Sequence, residues 1–397
     1  MKLRKVSALK MIACAAVSAS MLVATVPAAA GQDEISERKL TFGVKPLPEA
    51  DRDAALAPPP GKSSLKMWTY NVTSTRTGSK GNKYTGTMVG NSPITTNGTT
   101  TTTVYVVPLV VTIGATTFDP TKNDSACLGG LNALELLKVS PMVLAFNDFK
   151  INGVDVGVTQ YSDAFQRGNF WKDVKAKGGT YHNKLNYKFL PAMAYNPPSG
   201  DAVIYSTPGL CTTQYGGIEV NAFDLVLKLF YIPGLASKGV GPTNLVTFML
   251  YNTTMYDTTP GNCCIGGYHG AYNDTITGAG IQTYSPFQWD SAGFFGGPNG
   301  QDAAIMSHEI NEWQDDPMGG NPVPAWGHVG QVSGCQTNLE VGDPLTGTDV
   351  AVVPVFGFNF HLQELAFFSW FYGGPSIGAG GKFSDNGTFT SAQGKCI

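Results

Sequence analysis

The chain has 397 residues, 42% of them apolar and 14% charged, with 48 Gly and 25 Pro. Gly and Pro together stay below the roughly 25–30% that marks low-complexity chains, which excludes disorder as the main state, and abundant Thr, Asn, Gly and Tyr argue against a coiled coil or helical bundle. The net charge is −3, and removing the leader residues Lys2, Arg4, Lys5 and Lys10 leaves 22 basic against 29 acidic residues, a surface with no general attraction for nucleic acid or anionic membranes.

Residues 1–30 read as a secretory signal, with a basic start, an apolar stretch from Met11 to Val26 and the small-residue ending Ala28-Ala29-Ala30. The expected location is extracellular or periplasmic, with no stable membrane insertion once the signal is removed. Residues 31–65, rich in proline and without a strand or helix period, read as a linker or propeptide. No break follows, so residues 66–397 are expected to form a single large domain.

Within it, strands are expected at Lys83–Val89, Thr102–Ile113, Ala202–Ser206, Asn244–Tyr251 and Ile281–Trp289, each short, rich in Val, Thr and Tyr and bounded by Gly, Pro or Asn. Thr99–Thr103 reads as a loop or exposed edge. Helices are expected at Leu131–Val139, Gln160–Val174, Ala222–Phe230, Gln301–Asp315 and His361–Tyr372. Interspersed strands and helices predict an α+β fold, a mixed or antiparallel sheet with helices packed on it. Beyond the leader, Cys127, Cys211, Cys263, Cys264, Cys335 and Cys396 are even in number, so disulfides are expected, with the adjacent Cys263 and Cys264 pairing to two distant partners.

One segment carries chemistry. Residues 305–317 read Ile-Met-Ser-His-Glu-Ile-Asn-Glu-Trp-Gln-Asp-Asp-Pro, with Ala303, Met306, Ile310 and Trp313 making one apolar stripe and Pro317 ending the helix. His308 and Glu312, four apart, project side by side and can take two positions around a metal ion. Glu309, turned about 100° from His308, is placed to serve as general base. An ordinary solvated i,i+4 pair is the bland alternative. Glu340 and Asp343, 28 and 31 residues beyond Glu312, are the expected further ligands. Glu364, in an apolar run, is the rival, with a paired structural carboxylate as its plainer reading. His269 and His328 read as structural histidines ahead of binding ones. One imidazole and two carboxylates leave a divalent ion formally neutral and make the site harder, so Ca²⁺ or Mn²⁺ competes with Zn²⁺. No GxSxG elbow points to a serine hydrolase.

The run Ser307-His308-Glu309-Ile310-Asn311-Glu312, then Asp315-Asp316-Pro317, a Trp-Gly, and Leu339-Glu340-Val341-Gly342-Asp343 resembles the HELxE, T(D/N)P and EIGD signatures of EXORDIUM-like (phosphate-induced) secreted proteins and related bacterial exported proteins. Gly267-Tyr268-His269 is similar to an upstream Gly-aromatic-His element of that group. The match covers roughly residues 265–345 and departs at Asp315, where Thr is usual. The resemblance implies export, association with the cell wall or extracellular space, a zincin-like active-site helix, and Glu340 or Asp343 over Glu364 as third ligand. The resulting expectation is a secreted metalloprotein, a candidate metallopeptidase holding a divalent metal with Zn²⁺ ahead of Ca²⁺ or Mn²⁺. Its partner would be a peptide or cell-wall component. The competing expectation is a non-catalytic extracellular or wall-associated binding protein with a structural metal.

Overall fold

The alternation of apolar side chains along the Val- and Thr-rich segments settles the architecture. In Leu245–Tyr251, Leu245 and Met249 belong to one core while Val246, Phe248 and Leu250 belong to another, and in Thr99–Ile113 Val104 and Val106 part in the same way from Tyr105, Val107, Leu109 and Val111. Successive side chains of a strand point to opposite faces, so both strands are buried on both sides. The structure, a computed structural model, describes residues 38–57, 61–348, 350–393 and 396. The described residues belong to one unit spanning Ile35–Ile397.

These strands form part of an eleven-stranded mixed sheet. In chain order its members are β1 (Thr41–Lys45), β2 (Thr99–Ile113), β3 (Thr116–Phe118), β4 (His182–Phe189), β5 (Met193–Tyr195), β6 (Ala202–Ser206), β7 (Gln214–Glu219), β8 (Leu245–Tyr251), β9 (Thr253–Tyr256), β10 (Cys263–Asp274) and β11 (Gly280–Trp289). The hydrogen-bonded path runs β6-β7-β9-β10-β11-β8-β2-β3, with β4 and β5 on β2 and β1 on β10. Four two-stranded hairpins and several helices cover it. The α+β class expected from the sequence is the one found.

The helix Ala304–Asp315 lies between the sheet and the other elements, against β10, β11, the strand Phe358–Gln363, the strand Lys83–Val89 and the helix Tyr161–Asn169. All 12 of its residues are buried. The reading of His308 and Glu312 as a solvated pair therefore fails. The helix is two-sided because it is wedged between layers. Its polar residues are tied to neighbours: Gln166 Nε2 and Asn169 Nδ2 donate to Asp315 at 2.6 and 3.2 Å, and Gln314 Nε2 to the Asn183 carbonyl at 3.3 Å.

Several expectations change. Residues 31–65 are not all linker, because Thr41–Lys45 pairs in parallel with β10 and Glu49–Leu56 is helical. The signal segment lies outside the described residues. The threonine run is strand and not loop, Thr99–Thr103 pairing in parallel with His182–Asn186 on one side. The helix expected over His361–Tyr372 is helical only at Phe368–Tyr372, its first part being the strand Phe358–Gln363 paired with Val350–Val355. A continuous apolar run has no period to separate strand from helix. Gln160–Val174 breaks at Phe170 into two helices. Finally, Cys263 pairs with Cys264, because the distant cysteines pair among themselves, Cys127 with Cys211 and Cys335 with Cys396. No helix of the described residues is long and apolar enough to cross a membrane.

Ile310 is wholly buried at the centre of this packing. Its replacement by alanine should lower the unfolding free energy by about 2–5 kcal/mol, read from the shift of a chemical-denaturation midpoint.

Candidate metal centre

Three segments meet on one face of the motif helix: β10 carrying His269, the turn Leu339–Leu345 carrying Glu340 and Asp343, and the end of the strand Phe358–Gln363. On β10, Tyr268 faces the opposite core, where its hydroxyl donates to Asp224 at 3.1 Å, while Gly267 and His269 face the helix. The approach is close. A Cβ on Gly267 would lie 2.8 Å from Glu309 Cγ, and one on Gly342 would lie 2.3 Å from His308 Nδ1. Glycine at both positions lets strand and turn close on the helix.

The outer partners of His308 and Glu312 fix how they point. His308 Nδ1 lies 3.1 Å from Gln363 Oε1, and Gln363 in turn donates from Nε2 to the Gly342 carbonyl at 2.7 Å. That pairing assigns the proton to Nδ1 and leaves the lone pair on Nε2. Glu312 Oε1 accepts from the backbone N–H groups of Gly342 and Asp343 at 3.0 and 3.3 Å, which leaves Oε2 turned toward the two histidines. His308 Nε2 and Glu312 Oε2 stand 3.0 Å apart, and Asp343 Oδ1 is 3.6 Å from the same nitrogen. His308, Glu312 and Asp343 each offer an atom within 4.8 Å of the others. Such spacings suit donors around one ion with bonds of roughly 2.0–2.2 Å. Asp343 is held by Gln336 Nε2 at 3.1 Å and by Gln331.

A second triad shares Glu312. His269, Glu312 and Glu340 also lie within 4.8 Å of one another, with His269 Nδ1 3.6 Å from Glu312 Oε2 and His269 Nε2 3.9 Å from Glu340 Oε2. Glu309 Oε2 is 3.5 Å from His269 Nδ1. Among the described residues, neither ring nitrogen of His269, neither oxygen of Glu309, nor Nε2 of His308 makes an aligned hydrogen bond, although all three side chains are completely buried. Unpaired buried polar groups are costly and demand a partner. A divalent cation among these atoms satisfies that demand, so the residues fit a metal.

The electrostatics agree. Glu309, Glu312, Glu340 and Asp343 gather four carboxyl groups out of water beside two imidazoles. Burial, then Glu312 and Asp343, push Glu309 well above the usual carboxylate range; burial, then Glu312, do the same to Glu340. Burial and Glu312 raise Asp343 to about 7. Glu312 alone is lowered, because His308 and His269 outweigh its burial. Burial pushes His269 down to about 4, whereas at His308 the burial effect is overcome by Glu312, Asp343 and Gln363 and the pKa rises.

All five residues expected from the sequence, His308, Glu309, Glu312, Glu340 and Asp343, thus come together. Glu364 does not join the triads. It accepts from Ser384 Oγ at 2.6 Å and from Thr388 N and Oγ1 at 3.0 and 2.6 Å, a structural carboxylate. His328 is exposed beside Cys335, whose sulfur is committed to a disulfide. His269 is the residue the sequence undervalued, and the small residues Gly266 and Gly267 before it were the available signal of close approach.

No family model matches the chain, and neither a curated protein nor a solved structure does.

Two outcomes follow. Gly342→Ala forces a carbon against His308 and should weaken divalent-metal affinity at least tenfold, measured by competition with a chromophoric chelator. Because a metal must displace the proton that Asp343 holds below about 7, affinity should fall by about tenfold per pH unit below that point for each displaced proton; isothermal titration across pH 5.5–8.5 checks the sign.

Proposed function

We propose that the protein is an exported zincin-like metalloprotein and a metallopeptidase, with His308, Glu312 and Asp343 as metal ligands and Glu309 as general base. The observation that carries this reading is the pair of atoms, His308 Nε2 and Glu312 Oε2, oriented toward each other by Gln363 and by the Gly342 and Asp343 amides. Metal-ligating histidines owe their orientation to such outer hydrogen bonds. Zn²⁺ is the proposed ion. Imidazole donors favour it over Ca²⁺, which prefers six to eight oxygens. The resemblance to EXORDIUM-like secreted proteins belongs to this proposal, as does an extracellular or periplasmic location, supported by the disulfide pairs.

When bound, the ion supplies Lewis acidity toward the scissile carbonyl. The chain supplies the rest. Glu309, uncommitted to any hydrogen bond, takes a proton from the attacking water as the new C–O bond forms and delivers it to the amine as the C–N bond breaks, giving a carboxylate and an amine. His269, 3.5 Å from Glu309 and neutral over the ordinary pH range, positions that carboxyl. Glu340 stands beyond it as an additional oxygen donor.

A second reading is favoured by one observation: His269, His308 and Glu309 are fully buried, and Glu312, Glu340 and Asp343 are at most 6% exposed. A structural metal in a non-catalytic extracellular binding protein needs no more access than that. Glu309→Gln separates the two. The peptidase reading requires a fall in kcat/KM on a casein-derived peptide library of about 10²–10⁴-fold with metal content unchanged. Absence of hydrolysis in both wild type and variant, with metal retained, would leave the structural reading. Glu312→Ala should reduce metal content from about one ion per chain to a trace in plasma emission analysis, and equal, negligible metal in both proteins would remove the metal altogether.

A further inference from the structure

What closes the site is the chain's own amino-terminal arm. β1 lies in parallel on the edge of β10, with Phe42 opposite Gly267, Gly43 opposite Tyr268, Val44 opposite His269 and Lys45 opposite Gly270. The opposite edge of β10 is taken by β9 at Cys263 and Ile265 and by β11 from Gly267 onward. Without β1, the edge from Gly266 to Gly270 would present unpaired N–H and C=O groups directly beside His269. The Phe42 ring lies flat on the His308 imidazole, centroids 3.5 Å apart and planes 10° apart. Its backbone is gripped at both ends by Gln331: Phe42 N donates to Oε1 at 2.6 Å, and Nε2 donates back to the Phe42 carbonyl at 3.2 Å. That same Gln331 amide reaches Asp343.

An extended backbone added to a sheet edge, one side chain in a pocket and a polar hook on the main chain make up a recurrent mode of peptide recognition. The arm is short, and four of its five residues are only half-buried. Its hold rests on being tethered, since an attached segment competes at a high effective concentration. After β1, Leu47 bonds the Met318 carbonyl at 2.9 Å and Arg52 reaches the carbonyls of Leu47 and Gly320 at 3.3 and 2.9 Å, so β1 can leave while the helix Glu49–Leu56 stays docked.

We propose that the β10 edge from Ile265 to Gly270 is a peptide-binding strand taking an extended segment with an aromatic side chain over His308, and that β1 is its built-in occupant, keeping the centre closed until it is displaced. The inference rests on the metallopeptidase reading for its consequence, but the peptide site can be tested apart from it.

The full-length protein carrying Phe42→Ala has its arm loosened while the Gln331 hook stays in place. A fluorescein-labelled peptide with the sequence of residues 38–47 should bind this variant at least tenfold tighter than it binds wild type, by fluorescence anisotropy, and the same peptide with alanine at the position of Phe42 should not. Zinc loaded into the variant should pass to a chelator at least tenfold faster than from wild type. Phe42→Leu replaces Phe42→Ala should the latter lose cooperative thermal unfolding. A cooperatively folding variant that binds the peptide no better than wild type overturns the proposal, whatever its metal content. Peptide binding that persists in protein found to hold no zinc upholds the strand site and removes only the metallopeptidase reading.

Discussion

The Glu312 carboxylate is the constraint around which the protein is arranged. One of its oxygens is committed to the backbone amides of Gly342 and Asp343, which ties the turn Leu339–Leu345 to the motif helix across about thirty residues of chain. The other faces both buried histidines, His308 at 3.0 Å and His269 at 3.6 Å. Helix, turn and sheet strand therefore converge on a single functional group. Burying a charged group is tolerable only when it is paired and hydrogen-bonded, and here half the pairing comes from backbone while the other half falls to imidazoles with unfilled valences.

Around that group the fold provides stiffness. Gln363 links His308 to the Gly342 carbonyl, Ser307 Oγ accepts from the Gln363 backbone at 2.9 Å, and Asp316 closes the helix end by accepting from Gly320 and Asn321, each at 2.8 Å. Asn321 continues the chain of contacts to the strand Lys83–Val89 through Thr87. Side chains locked in this way are held near one geometry, which a catalytic or metal-binding constellation requires. Asp315 is occupied with anchoring the helix Tyr161–Asn169.

The site was legible where the pattern is local. His308, Glu309 and Glu312 share one helix, so their spacing alone places them together, and Glu340 and Asp343, 28 and 31 residues beyond Glu312, lie far enough on for the chain to return to the helix. His269 was not legible in this way. A single histidine on a strand some forty residues upstream has no periodic partner, and only the fold brings it across. β1 escaped for a related reason: five residues beside a proline carry too little alternation to announce a strand, and its partner lies more than 200 residues away. The α+β class was readable because short Val-, Thr- and Tyr-rich segments bounded by Gly, Pro or Asn alternate with helical ones, while the stretch around Glu364 was misread as helix because an unbroken apolar run satisfies either period.

The register between β1 and β10 also sets an order of events. Residues 41–45 are synthesised before the strand they pair with, which ends at Asp274, so the arm must wait for its partner. Contacts between distant parts of a chain form late, because the connecting loop must first be closed. Phe42 reaches His308 only through a pairing between segments more than 200 residues apart in the chain.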